Sequence, residues 1–329
     1  MATFRKVLLV CAGLILTCCG IKKTENRVED ELSSWMNRQE GIKVCTTTPL
    51  IADTVRQIGG DQVAVISLMG PDLDPHSYEI VKGDYDKLSQ AHLIFANGLS
   101  LEHSRSMQKI LGEHSNVIYV ADLVPKKDII VVNGSPDPHI WMDMELWSMT
   151  TFPIEAALIK ADPKNADLYR ERAEVVRRKY MAMSKHIKEQ IQSIRAERRR
   201  LVTSHDAFNY FAKQYLEEDG EWQSRVIAIQ GLAPDEQISS VEIKRVVEYV
   251  KEYDVDIIFA EKNLSQDSIL KVIDSCRRSG KYISLADQEL YGDTMGNVSY
   301  IEMIEHNTKA IVINLKYGND PKMRPRTDA

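Results

Sequence analysis

The sequence predicts an α/β fold of two lobes, each with a mostly parallel sheet flanked by helices, joined by one long rigid helix. Three observations predict it. Short apolar runs bounded by turn residues alternate with amphipathic stretches in the first half. The same alternation returns in the last third of the chain. Between them, residues 164–198 contain no Gly or Pro and carry a single apolar stripe.

The elements follow in order. Residues 42–47 form a strand signal, and residues 51–58 a helix stopped by Gly59 and Gly60. Strands are expected at 63–69, 93–97 and 117–120, with helices near 81–90 and 102–112. Pro163 follows Asp162 at a favoured first helical position. The stripe Ala166, Tyr169, Ala173, Val176, Tyr180, Met183, Ile187, Ile191 and Ile194 steps by three or four residues. Arg170, Glu171, Glu174, Arg177 and Arg178 lie on the opposite face, as on a helix packed along a core. At 1.5 Å per residue, 163–198 would be roughly 50 Å long.

Beyond the helix, strands are expected at 201–204, 225–229, 257–260 and 282–285. Helices are expected at 207–215, from a Ser239 cap to Tyr253, from Ser265 to Gly280, and at 300–315. Ser239 with Glu242 spells a capping box. The expected organisation is a leader with lipobox at 1–19, a tether at 20–41, lobes at 42–162 and 199–329, and the connecting helix at 163–198.

A chain of 329 residues with 43% apolar residues suits two ordinary domains. A net charge of -6 gives no general attraction to nucleic acid or anionic lipid.

Arg5 and Lys6 precede the apolar run Val7 to Leu16, which is too short to span a bilayer and fits a secretory signal. It ends at Thr17, Cys18 and Cys19, resembling a bacterial lipobox in which Cys19 (or Cys18) is acylated. Plain cleavage and a retained anchor are the other readings. The expectation is export to the periplasm or the outer face of the cytoplasmic membrane. Cys45 and Cys276 are expected to be buried free thiols rather than a disulfide.

Three of the eight His stand at strand ends or in turn-rich loops. His76 lies in DPHSYE, His139 in DPHIWMD and His205 in VTSHDAF, directly after a strand. Asp293 lies in LYGDTMG. Ligands of open α/β sheets bind beyond the carboxyl ends of the strands, where such loops converge. Imidazole suits transition metals rather than Ca or Mg. The Pro before His76 and before His139 stiffens its loop. Asp74, Asp137 and Asp206 are neighbours that could orient an imidazole through its second nitrogen, with the sequence not saying which does, and Glu261 is a further supporting acid or a surface one. His92, His103, His114, His186 and His306 are expected to be solvated or capping residues.

The segments DPHSYE, DPHIWMD, VTSHDAFNYF and LYGDTMG resemble, in order, the four ligand segments of the metal-binding lipoproteins of manganese, zinc and iron ABC importers, the TroA-like cluster. HSYEIVKGD and GEWQSR are similar to its chlamydial members. The resemblance runs from about Ile42 to the C-terminus. It implies one divalent ion (Mn, Zn or Fe) held as transported ligand by His76, His139, His205 and Asp293. It also implies an ABC permease as partner, and release by modest lobe or loop rearrangement. Manganese members often carry Glu at the place of His205, and zinc members a His-rich loop before the second His. Residues 122–136 contain no His, so the chain matches neither subtype.

The alternatives are a zinc-dependent hydrolase and an adhesin-like lipoprotein with incidental metal binding. The sequence lacks HExxH, GxSxG and a Walker loop, so no enzyme is expected. Neutral imidazoles bind metal, so affinity is expected to fall as pH drops through about 6.

Overall fold

The computed structural model describes residues 32–218, 220–234 and 238–318. The expected leader, its cysteines and residues 20–31 of the expected tether lie outside these. Within the remainder of that tether, residues 32–37 are helical and Trp35 is buried, its Nε1 donating to the Ala64 carbonyl at 3.0 Å.

The first sheet contains β1 (Ile42–Thr46), β2 (Val63–Ser67), β3 (Leu93–Ala96) and β4 (Val117–Tyr119), all parallel in the order β2-β1-β3-β4. Val44, Cys45, Ile94 and Phe95 are fully buried, because a parallel sheet is covered on both faces. Three helices alternate with these strands: α1 (Pro49–Gly59), α2 (Lys82–Gln90) and α3 (Arg105–Glu113). Thr48 caps α1, its side chain accepting from the Ile51 N–H, and Pro49 takes the first helical position.

A hairpin unannounced by the sequence reading follows, with β5 (Val131–Val132) antiparallel to β6 (Ser135–Pro136). Asn133 and Gly134 turn it with φ of 51° and 85°, the left-handed pair that a tight hairpin turn needs. Two further helices, α4 (Met144–Met149) and α5 (Thr151–Ala161), were also unexpected. Asp143 caps α4 by accepting from the Glu145 and Leu146 N–H groups.

The long helix α6 runs Ala166–Gln192, 27 residues or about 40 Å. Short 3₁₀ turns at Pro163–Asn165 and Ala196–Arg198 take the ends of the longer span expected. The stripe holds: Tyr169, Ala173, Val176, Tyr180, Ile187, Ile191 and Ile194 are buried. Ser184 replaces its neighbour Met183 as the buried position, bonded to Glu145 and Tyr215. Tyr180 ties α6 to both halves. Its hydroxyl meets Thr54 Oγ1 of α1 at 3.0 Å, and its ring lies edge-on to Tyr300 at 5.3 Å.

The second half pairs β7 (Leu201–Thr203) with β8 (Val226–Ala228), and β9 (Ile257–Ile258) with β10 (Ser284–Leu285), each pair parallel. The Phe259 N–H donates to the Val202 carbonyl at 2.8 Å, joining the pairs. The helix expected at 207–215 is instead a short α turn, α7 (Asn209–Phe211), continued by a π turn at Ala212–Leu216. It is followed by α8 (Ser240–Glu252), α9 (Asp267–Arg278) and α10 (Tyr300–Tyr317). The Ser239–Glu242 capping box opens α8 as expected. Cys45 and Cys276 are buried free thiols, and burial pushes Cys45 up to about 12.

Candidate metal centre

The loops at the carboxyl ends of the strands meet between the halves. The loop after β2 carries His76, and the segment after the β5–β6 hairpin carries His139. His205 follows β7, and Asp293 follows β10. One ligand atom from each of the four lies within 4.8 Å of those of the others. His76 and His139 Nε2 are 3.2 Å apart, His139 Nε2 is 3.2 Å from Asp293 Oδ1, and His205 Nε2 is 3.0 Å from Asp293 Oδ2. A tetrahedral ion with bonds of about 2.1 Å needs ligand atoms about 3.4 Å apart, so the set fits a four-coordinate transition metal. All four side chains are buried, and His139 and His205 have no exposure at all.

The donor chemistry also fits. Both Asp293 carboxylate oxygens and His205 Nε2 are buried without a partner in hydrogen-bonding geometry, and so are His205 Nδ1 and Glu261 Oε2, which face one another as an ion pair at 2.7 Å. Buried polar atoms are normally paired, and a shared cation would satisfy the Asp293 oxygens and His205 Nε2.

The imidazoles of His139 and His205 have different supports. Asp137 Oδ1 is 2.6 Å from His139 Nδ1 and also accepts the His139 N–H at 2.9 Å. That bond puts the proton on Nδ1 and leaves Nε2 its lone pair. Asp137 is itself held by Asn209 Nδ2 at 3.0 Å, and its carbonyl by the Tyr210 hydroxyl at 2.9 Å. Glu261 Oε2 lies 2.7 Å from His205 Nδ1, and Oε1 accepts the His205 N–H at 2.9 Å.

Of the three candidate aspartates, Asp74 and Asp206 do not reach a ring. Asp74 accepts the backbone N–H of His76 and the Ser77 hydroxyl, so it shapes the loop rather than the ring. Asp206 sits beside Asn209 rather than on an imidazole, and burial with the charge of Asp137 pushes its carboxyl up to about 6. Sequence reading also missed Asn209, Tyr210 and Trp141. The first two follow His205 in the quoted segment, but their contacts are with Asp137, far away in the chain. His103, expected to be a solvated helix-edge residue, packs instead against His76, with ring centroids 5.8 Å apart.

The electrostatics suit cation exchange. Burial alone would lower His139, but the charge and hydrogen bond of Asp137 outweigh it and push His139 up to about 9. Burial would likewise lower His205, but Asp293 and Glu261 raise it well above its ordinary value. Burial would raise Asp293, but the His205 and His76 imidazoles hold it well below the usual carboxylate range. The carboxylates around His139 and His205 thus favour positive charge at this point.

Gly292 makes room for this arrangement. A Cβ there would stand 2.0 Å from Glu261 Oε2 and 3.0 Å from His205 Cε1. Its carbonyl accepts from Trp141 Nε1 at 3.0 Å, so the backbone is pinned and cannot retreat. Gly292→Ala is expected to push Glu261 off His205 and weaken metal binding about 10- to 100-fold, the usual effect of losing such a support. Metal titration of the folded variant checks this, and unchanged affinity would remove Glu261 from the site's design.

Known proteins resemble this chain in sequence and fold. The family model described as zinc-uptake complex component A, periplasmic, matches residues 44–313. The metal-binding protein YtgA of Chlamydia trachomatis is 38% identical over 284 residues, covering 84% of this chain and 86% of YtgA. The crystal structure of its Fe(III)-bound form superposes with a TM-score of 0.80, covering 84% of this chain and 98% of that one. The manganese-binding lipoprotein MntA of Bacillus subtilis is 32% identical over 314 residues, covering 93% of this chain and 96% of MntA. The periplasmic zinc-binding protein TroA of Treponema pallidum, 29% identical, superposes with a TM-score of 0.77 over 84% of this chain and 99% of TroA.

Proposed function

The chain belongs to the ZnuA family of periplasmic zinc-uptake components, and from that premise we propose that it captures one transition-metal ion outside the cytoplasm and delivers it to an ABC permease. The carrying observation is the buried convergence of His76, His139, His205 and Asp293 from four loops on both sides of α6. These four are the proposed ligands. Asp137 and Glu261 hold the imidazoles of His139 and His205, and the ion is cargo rather than a resident cofactor.

Four protein ligands fill a tetrahedral shell, which suits binding and leaves no position for a substrate or an activated water. Members of this family are substrate-binding transport components, and neither the hydrolase nor the adhesin reading draws support from the relatives compared above. The relatives' own metals are iron, manganese and zinc. Three imidazoles and one carboxylate are compatible with each of these.

The leader residues 1–19 support export, and Cys19 (or Cys18) is the proposed site of lipid attachment; of the tether expected at 20–41, the part from the helix at 32–37 onward belongs to the packed body, since Trp35 is buried there. The lobes 42–162 and 199–329 are proposed to shift modestly about the connecting segment 163–198 on release. The brace of Tyr180 against both halves argues against a wide hinge.

Elemental analysis of protein from its native source, paired with titrations of manganese, zinc, ferrous and ferric iron, tests the reading. One equivalent of bound metal is expected. Protein that carries no metal and binds none of these saturably at micromolar concentration would overturn it.

A further inference from the structure

Four of the histidines outside the converged set serve elsewhere. His92 and His186 are exposed, His114 is half-buried at a helix end, and His306 lies 2.9 Å from the Glu289 carbonyl. His103 differs. It ends the loop between β3 and α3, half-exposed, with its ring tilted 46° against His76 at 5.8 Å. The neighbouring ligand set is buried, so His103 is an imidazole at the boundary between solvent and the site.

Its loop is built under strain. Gly98, Leu99 and Ser100 all have left-handed φ, of 84°, 53° and 64°. For Leu and Ser that backbone is unfavourable and persists only where surroundings enforce it. The buried carboxylate of Glu102 supplies the force. Its Oε1 accepts from the Asn97 N–H and the Thr47 hydroxyl, each at 2.7 Å, and its Oε2 from the Gly98 N–H at 3.1 Å. Asn97 Nδ2 then reaches the Pro138 carbonyl at 3.1 Å, tying this loop to the segment that carries His139.

The loop also sets the His103 tautomer. Nδ1 lies 3.2 Å from the Leu101 carbonyl. A carbonyl only accepts, so the hydrogen is on Nδ1 and Nε2 keeps its lone pair, the form that binds metal. His76 is the complementary partner. Asp137 supports His139 and Glu261 supports His205. Among the described residues no carboxylate ion-pairs with the second nitrogen of His76, and Asp74 holds only its backbone. His76 is thus the proposed ligand whose ring can move at least cost.

We propose that His103 is a transient fifth ligand, which with His76 forms an entry and exit site for the divalent ion. This rests on the metal-capture reading. The arriving ion exchanges water for the imidazoles of His103 and His76 first. His139, His205 and Asp293 then displace the His103 bond as the ion moves inward. Departure runs the same steps in reverse. A tethered ligand beside the path acts at high effective concentration, so it speeds both directions and leaves their ratio alone.

Stopped-flow binding of Zn²⁺ to the full chain tests this. Tryptophan emission can report it, since Trp141 lies 5.1 Å from His139. His103→Ala removes the imidazole, while His103→Phe keeps a ring packed on His76 without a lone pair. Both variants are expected to slow association and dissociation about tenfold, with the ratio of the two rates held within about twofold. Wild-type rates in His103→Phe would overturn the inference, because packing alone would then suffice. So would a weakened affinity with unchanged association, which is the mark of a merely structural role. Both results leave the capture reading standing, whereas a wild-type chain that binds no Zn²⁺ would overturn this inference together with any zinc version of that reading.

Discussion

Replacing His139 by Ala is expected to weaken metal binding by about a hundredfold to ten-thousandfold while the fold persists. His139 is fully buried, its Nε2 faces both His76 Nε2 and Asp293 Oδ1 at 3.2 Å, and Asp137 fixes its orientation. Removing one member of a buried charge cluster typically costs about 3–5 kcal/mol. Here that cost falls on the metal-bound state, because a three-ligand shell must recruit water inside a closed cavity. A chelator-competition titration gives the dissociation constant, and near-ultraviolet circular dichroism reports whether the aromatic packing around Trp141 and Tyr300 survives. A folded His139→Ala protein with wild-type affinity would take His139 out of the site. The core argues for survival of the fold, since Tyr180, Tyr300 and Trp147 pack without help from the imidazole.

The second large effect is on pH dependence. From the sequence alone, affinity was expected to fall as pH drops through about 6, the range of an ordinary imidazole. The structure moves this range upward. Asp137 and Asp293 push His139 to about 9 against the opposing effect of burial, and His205 is raised as well. At neutral pH an arriving cation is therefore expected to expel protons from these imidazoles. Affinity should fall about tenfold per pH unit for each proton expelled, so about 100- to 10,000-fold between pH 8 and pH 6. Calorimetry in two buffers of different ionisation enthalpy counts those protons directly. A constant affinity between pH 6 and 8, with no proton release, would refute the electrostatic account.

The same shifts make the stability of the metal-free protein depend on pH. His139 is raised in the fold, so its stabilisation is complete below the ordinary imidazole range and is lost as pH climbs towards about 9. Asp293 is lowered, so its contribution is present above the ordinary carboxylate range and is lost on strong acidification. Thermal melts of metal-free protein should accordingly decline on the alkaline side.

Much of the fold was legible because burial leaves a periodic trace. Eight of the ten strands among the described residues read as apolar runs, each observed a little shorter than expected, and the α6 stripe named seven of the residues that are buried. Residues 140–161 were not legible. Trp141, Met142, Met144 and Trp147 are buried in a stretch with little polar face, so α4 had no amphipathic contrast to reveal it. The hairpin's only local trace is the Asn-Gly pair at 133–134, set between runs too short to read as strands, and the π turn at 212–216 has no distinct signature.

By itself the sequence determined the α/β class, the long helix, and which three His and one Asp stand at strand ends with stiff or small neighbours. Those features are local, written in hydrophobic period and turn chemistry. Only the tertiary structure decided how the four side chains are supported. Asp137 serves His139 and Glu261 serves His205, while Asp74 and Asp206, equally plausible by sequence spacing, do not touch a ring. It alone also placed His103 against His76. The reason is physical: a hydrogen bond or a charge acts over a few ångströms of space, and the chain separations of 56 residues for Glu261–His205 and 72 for Asn209–Asp137 vanish only once the sheets have packed.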